Sequence, residues 1–308
     1  MIRTRLAVSL IALALGLGTG CSIKRLAVNQ VGDALAGSGG TFASDNDPIL
    51  VRDAAPFSLK LMESLLAENP RHRPLLLAAA RGFAQYAYAF VQQDADLWRE
   101  EDLDRSDASA RRARLLYLRA RDYGLRGLEV EEPGVTNSLQ SDPGRAVLAF
   151  GKADVPLLYW TAVSWAAAIS LSKDDPALIA DQPIVEALID RALDLDESFD
   201  LGAIHTFLIS YEMARQGVPG DPTERAAHHL QRAMELSGGQ LAGPLVGYAE
   251  AICVQQQDRT RFESLLGQAL AIDPDAVPEH RLVNLIMQER ARWLLSRMDE
   301  LFLPLVPE

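Results

Sequence analysis

The chain has 308 residues, of which 30 are basic and 42 acidic, a formal net charge of −12. Such a chain repels nucleic-acid phosphates and anionic headgroups, which argues against nucleic-acid binding and against membrane attachment through a basic patch. Ala and Leu outweigh Val, Ile, Thr and the aromatic residues, which favours helices, and the length suits one large domain or two small ones.

The first twenty residues read as an export signal. Arg3 and Arg5 precede an apolar or small stretch from Leu6 to Gly20, and Cys21 follows. The stretch is shorter than the roughly 20 apolar residues a spanning helix needs. Gly18-Thr19-Gly20 before Cys21 resembles a bacterial lipoprotein box, with Gly18 where such boxes usually carry Leu. That resemblance implies that Cys21 becomes the lipid-bearing first residue of the mature chain. Ser22 after it points, by the same analogy, to the outer membrane of a two-membrane bacterium. The alternative is ordinary cleavage nearby, with Cys21 a free thiol. Either way the chain is exported to the periplasm, and a lipid at Cys21 would be its membrane anchor. Residues 1–20 are then the signal, 21–46 a tether and leading segment, and 47–308 a single helical domain. Cys253, in the apolar run from Ala249 to Val254, has no partner if Cys21 is acylated and reads as a small buried hydrophobe.

Loop chemistry at Gly37-Ser38-Gly39-Gly40 precedes Asp47-Pro48, an N-cap followed by proline at the first helical position. Leu50, Phe57, Leu61, Leu65 and Leu66 recur at near-helical spacing, with Pro56 expected to divide that helix. A second helix runs from Pro74 to about Trp98, residues 102–109 read as a turn, and 109–129 form an amphipathic helix rich in arginine. Residues 131–143 are a polar connection with a short element near Leu139. Helices are predicted over 144–151, 154–173, 176–195, 198–217, 222–237, 241–256, 259–272 and 278–302, and no stretch carries a strand pattern.

Several helix ends look alike: Arg191-Ala192-Leu193-Asp194-Leu195-Asp196, Arg232-Ala233-Met234-Glu235-Leu236-Ser237 and Gln268-Ala269-Leu270-Ala271-Ile272-Asp273-Pro274. They resemble the closing turns of tetratricopeptide helix pairs, whose nominal period is about 34 residues. The small Ala lets two helices approach and Asp-Pro stops the second one. The fold expected is all-α, a degenerate tetratricopeptide-like superhelical bundle with a concave binding face. A generic helical bundle with similar helix ends is the alternative.

Catalytic and metal signatures are missing. There is no HExxH, CxxC, GxSxG or P-loop, and His228-His229 are neighbours that face different ways on a helix. Asp45-Asn46-Asp47 begins like a calcium loop without the later Gly and Glu. No catalytic residue, metal or cofactor is assigned. Two aromatic clusters remain. Phe83, Gln85, Tyr86, Tyr88 and Phe90 form one. Tyr159, Trp160 and Trp165, with Thr161 and Ser164, form the other. Either they pack the core or they line an apolar cavity with polar tips, His205 and Gln85 being the polar candidates.

Asp45-Asn46-Asp47-Pro48-Ile49-Leu50-Val51-Arg52-Asp53-Ala54-Ala55-Pro56-Phe57, preceded by Gly37 to Phe42, resembles the leading segment of the T component of tripartite ATP-independent periplasmic (TRAP) transporters. The resemblance continues through Gly82 to Val91, Leu158-Tyr159-Trp160, Gly202-Ala203-Ile204-His205 and the end around Asn284, Gln288, Arg290 and Trp293. It implies a helical lipoprotein that assembles as a homotrimer and associates with the substrate-binding P component. It also implies a passage for a hydrophobic small molecule and no reaction of its own. Without it, the residues admit an adaptor lipoprotein in cell-envelope assembly, or an envelope enzyme whose site is not visible.

Overall fold

The computed structural model describes residues 29–304 apart from Ser38 and Gln216; the expected signal and Cys21 lie outside them. Every regular element among the described residues is helical. The principal helices are α1 (Pro48–Glu68), α2 (Arg73–Tyr86), α3 (Leu103–Glu131), α4 (Val135–Ser141), α5 (Val155–Ser170) and α6 (Gln182–Leu195). They are followed by α7 (Ala203–Tyr211), α8 (Pro222–Leu236), α9 (Gly243–Tyr248), α10 (Arg259–Ala271) and α11 (Arg281–Ser296). Two π-helical turns, Ala87–Gln92 after α2 and Ala249–Cys253 after α9, interrupt the α geometry.

Part of the acidic excess is used at helix starts. Asp47, Asp102, Asp142, Asp175, Asp221 and Asp258 each accept a backbone N–H with the side chain, at the end of the helix where the dipole favours a negative charge. Asp102 thereby starts α3 at Leu103, so the predicted turn over 102–109 is helix. The polar connection after residue 131 holds α4, whose Val135 and Leu139 are buried. Part of the Gly37–Gly40 stretch is helical, in the turn Gly39–Ala43. α1 runs unbroken through Pro56. Proline leaves the Arg52 carbonyl without its helical N–H, but Val51, Leu59, Met62 and Leu66 on both sides of it are buried and hold the two halves to one core. The face of α1 that carries Leu50, Phe57 and Leu61 is the exposed one.

Two hydrophobic cores form. The first gathers α1 to α6 and the first turns of α7 around α5, which is apolar all round and buried on nearly every side. α5 packs on α2, α3 and α6. α3 reaches it closely because Gly124 and Gly127 face it: a Cβ at Gly124 would run into the Thr161 hydroxyl and come within 3.3 Å of the Thr161 Cα. The second core gathers the end of α7 with α8 to α11. Ala192, Ala233 and Ala269, the small residues of the similar helix ends, are fully buried.

α7 spans both cores. It is launched by three consecutive left-handed residues, Asp200, Leu201 and Gly202. A side chain at Gly202 would also press on the Ala233 backbone of α8 at 3.3 Å, so glycine is required there twice over. α11 closes the molecule against its beginning, packing on α1 and on Gly39–Ala43. The Arg281 guanidinium donates to the Ser44 carbonyl at 2.8 Å.

Candidate functional site

The π turns bring chemistry from the two cores to one place. The first carries Tyr88, the second Glu250, and α11 lies between them with Met287 and Arg290. Arg290 is 8% exposed, pairs with Glu250, lies 2.9 Å from Asp96, and stacks on Trp293 at 4.1 Å. Burial raises the Asp96 carboxyl above its usual range, against the pull of Arg290. The Tyr88 hydroxyl donates to the Met287 sulfur at 3.8 Å. Tyr88 keeps 42% of its surface open, yet burial pushes its hydroxyl up to about 12, with Glu250 adding to the effect. The ring is therefore open at the surface, while the hydroxyl is turned toward Met287 and the Arg290–Glu250–Asp96 cluster where the two cores meet. Tyr117 lies behind it and donates to Gln92 Oε1 at 2.6 Å.

Tyr88 is thus separated from the other members of its predicted cluster. Gln85 is exposed. Phe83 and Tyr86 are buried along the seam between α2 and α3, with Phe90 half-buried beside Tyr86. Phe83 stacks on Tyr123 at 5.8 Å. Arginines of α3 cap this aromatic seam: Arg119 lies over Phe83 at 5.4 Å, Arg112 over Tyr86 at 5.8 Å and Arg126 over Tyr123 at 5.1 Å. One heptad earlier Arg105 lies over Trp98 at 3.5 Å.

The second predicted cluster stays within the first core. Tyr159 packs edge-on against Trp160 at 5.0 Å and against Phe199 at 5.3 Å. Trp165 is 2% exposed beneath Arg121, and its indole N–H has no partner. The polar members turn to their own helix: Thr161 donates to the Leu157 carbonyl and Ser164 to the Trp160 carbonyl, each at 2.6 Å. A crevice of about 300 Å³ lies elsewhere, lined by Asp33, Ala36, Gly37, Pro74, Leu77, Ala78 and Arg81, and holds none of the candidate rings.

His205 belongs to a third group at the joint between the cores. Its Nδ1 faces the Nδ1 of His229 at 2.8 Å, and its Nε2 faces Glu197 at 3.4 Å. His229 faces Glu212 at 3.8 Å. Burial and His229 lower the His205 pKa, against the pull of Glu197. Burial opposes ionisation of Glu212, but His229, Arg225 and Arg215 outweigh it and hold its carboxyl down to about 2. Cys253 is fully buried and its thiol is pushed up to about 11 by burial, the behaviour of a packing residue.

Sequence reasoning missed Asp96, Glu250 and Met287 as partners of Tyr88. The readable signal was Arg290, a charge on the same helical face as Met287 and Leu294. Among the described residues no group of three His, Cys, Asp or Glu is placed to hold a metal, and no single helix is long and apolar enough to cross a membrane.

These features define a helical scaffold with a charge cluster where its two cores meet and a buried histidine pair. The chain belongs to the T-component family of TRAP transporters, whose family profile, TAtT (TRAP transporter T-component), matches residues 44–302. It is also similar to a protein of Treponema pallidum (strain Nichols), itself uncharacterized, at 32% identity over 302 residues, covering 92% of this chain and 94% of that one. The chain is therefore an accessory subunit of a TRAP transport system.

Proposed function

We propose that the chain is exported, anchored through lipid at Cys21 to a periplasmic membrane face, and docks the substrate-binding P component of its transporter as a homotrimer. In this reading, its stacked helix pairs are a degenerate tetratricopeptide-like scaffold and the surface around Tyr88, where the two cores meet, receives a hydrophobic small molecule. Family membership over residues 44–302 carries the reading. The half-open Tyr88 ring beside the Met287 thioether supports the ligand part, since an open aromatic ring next to a polarizable thioether is a surface an apolar molecule can cover.

The test is co-purification of the full chain with the P component of its own operon, followed by mass spectrometry of the bound small molecules. Recovery of the P component and of a lipid-like molecule is expected, with the molecule lost from Tyr88→Ala and retained by Gln85→Ala. Absence of the P component from the wild-type eluate overturns the docking reading. Equal ligand recovery from Tyr88→Ala removes Tyr88 from the ligand path.

A further inference from the structure

From Ala108 to Arg121 the chain carries Arg111, Arg112, Arg114, Arg119 and Arg121 and no carboxylate, within a protein of net charge −12. Arg105, Arg112, Arg119 and Arg126 are spaced by sevens along α3. They therefore form one row with a step of about 10.5 Å and a drift of only about 20° per step. Each lies over an aromatic ring, in order Trp98, Tyr86, Phe83 and Tyr123. Arg105, Arg112 and Arg119 are exposed and Arg126 is half-buried. Leu115 stands between Arg112 and Arg119 on the same face and is 66% exposed.

The row is only partly neutralised from within. Arg119 has Glu63 of α1 at 3.6 Å, and Glu63 is engaged by Lys60 and the Tyr123 hydroxyl as well. Arg112 donates to the Tyr86 hydroxyl at 3.4 Å, and Arg126 to the Pro70 carbonyl at 3.2 Å. Asp122, which lies between Arg119 and Arg126 on the helix, pairs with Arg121. Asp104 and Asp107 flank Arg105, so the uncompensated stretch is the middle, Arg112–Leu115–Arg119.

We propose that this middle stretch of α3 is the surface on which an acidic face of the partner protein docks, with the partner's carboxylates on Arg112 and Arg119 and an apolar side chain on Leu115. The inference rests on the reading that the chain docks a P component, and it names the face. The rings beside the guanidiniums, at 5.8 Å for Arg112 and 5.4 Å for Arg119, restrict their freedom, which lowers the ordering cost of pairing with carboxylates. Arginine and aromatic rings around one exposed apolar residue form the composition of an interface hot spot. An anionic membrane fits less well. Lipid-binding basic segments concentrate about four to eight charges, whereas here two of the five arginines between Ala108 and Arg121 are already paired, Arg114 with Asp175 and Arg121 with Asp122, on a chain that is otherwise acidic.

The test measures binding of the full chain to the purified P component of its own transporter at several NaCl concentrations. Arg112→Glu/Arg119→Glu should weaken binding at least about tenfold and flatten its salt dependence, with an unchanged thermal midpoint. Arg112→Glu alone, which leaves the Arg119–Glu63 contact in place, should weaken it by a smaller factor. Lys173→Glu/Arg292→Glu makes the same change in net charge away from the row and should bind within about twofold of wild type. Equal losses in both double variants would show a net-charge effect and overturn the row. Wild-type binding matched by Arg112→Glu/Arg119→Glu overturns the row and leaves the docking reading standing; no binding by the wild type overturns both. Binding to phosphatidylglycerol vesicles, lost in Arg112→Glu/Arg119→Glu while P-component binding persists, would reassign the row to the membrane.

Discussion

The two cores satisfy their buried polar groups in different ways. Around α5 in the first, Thr161, Ser164 and Ser172 each donate to the carbonyl four residues earlier in their own chain segment, while Ser106 and Tyr117 of α3 reach across to the Ala95 carbonyl and Gln92. The local bonds around α5 say nothing about which helix lies alongside, and the packing there is set by shape: glycines on α3, an all-apolar α5. In the second, buried side chains reach across. Asn284 of α11 accepts from the Ala242 N–H at 2.9 Å and donates to the Gln240 carbonyl at 2.9 Å. Gln288 donates to the Ala269 and Ile272 carbonyls at the end of α10, and Arg290 clamps Glu250 and Asp96. Shorter helices with less apolar surface are fixed in register by directional bonds, at the risk that each partner becomes costly to lose.

The sharpest way to break this contrast is Arg290→Leu. It leaves Glu250 and the half-buried Asp96 without their largely buried cation at a place where the two cores are tied by charge, and it should cost about 3 kcal/mol. Equilibrium urea unfolding should show the midpoint fall; a loss below about 1 kcal/mol would mean the pair is effectively solvated. The first core should break through shape instead. Gly124→Ala forces α3 away from Thr161 and should cost about 2 kcal/mol. Gly151→Ala, with open space around it, should be neutral by the same measurement.

The contrast also explains what could be read from the residues. Helix content was legible because the first core is built from periodic apolar runs and aspartate caps, both local signals; Asp47-Pro48 was read directly. Pro56 misled because the local penalty of one missing N–H is outweighed by tertiary packing on either side. In α1, a spacing of apolar residues was visible, but which apolar face is inward depends on partners far along the chain: Val51 and Met62 went in, Phe57 and Leu61 stayed out. The site was less legible for the same reason. Tyr88 and Met287 meet across 199 residues, and no window of sequence contains both. The arginine spacing on α3 was in plain view, but its meaning required the rings of α2.

A pH difference follows from the joint at α7. The folded protein holds His205 below its usual pKa, so the unfolded chain takes up the proton first as pH falls. Stability should be complete above about pH 6.5 and decline below it. Glu212, held near 2 in the fold, adds a second loss beginning near pH 4.5. Thermal midpoints measured from pH 7.5 to pH 5.5 should fall in the wild type and stay flatter in His205→Phe. A parallel fall in both would remove His205 from the transition.

The smallest expected effect is the most direct check on the contrast. Thr161→Val deletes a buried hydroxyl in the first core but keeps the side chain's shape, and the Leu157 carbonyl retains its helical N–H. Hydroxyls that bond back to the i−4 carbonyl add little to a helix and often bend it slightly, so the change should stay within about 1 kcal/mol in urea unfolding. Asn284→Leu deletes a comparably buried polar group of the second core, and it strands the Ala242 N–H and the Gln240 carbonyl on a neighbouring segment. Stranded backbone groups of that kind cost about 1–3 kcal/mol, so Asn284→Leu should fall clearly below Thr161→Val. Equal losses would mean that both cores are held by shape alone.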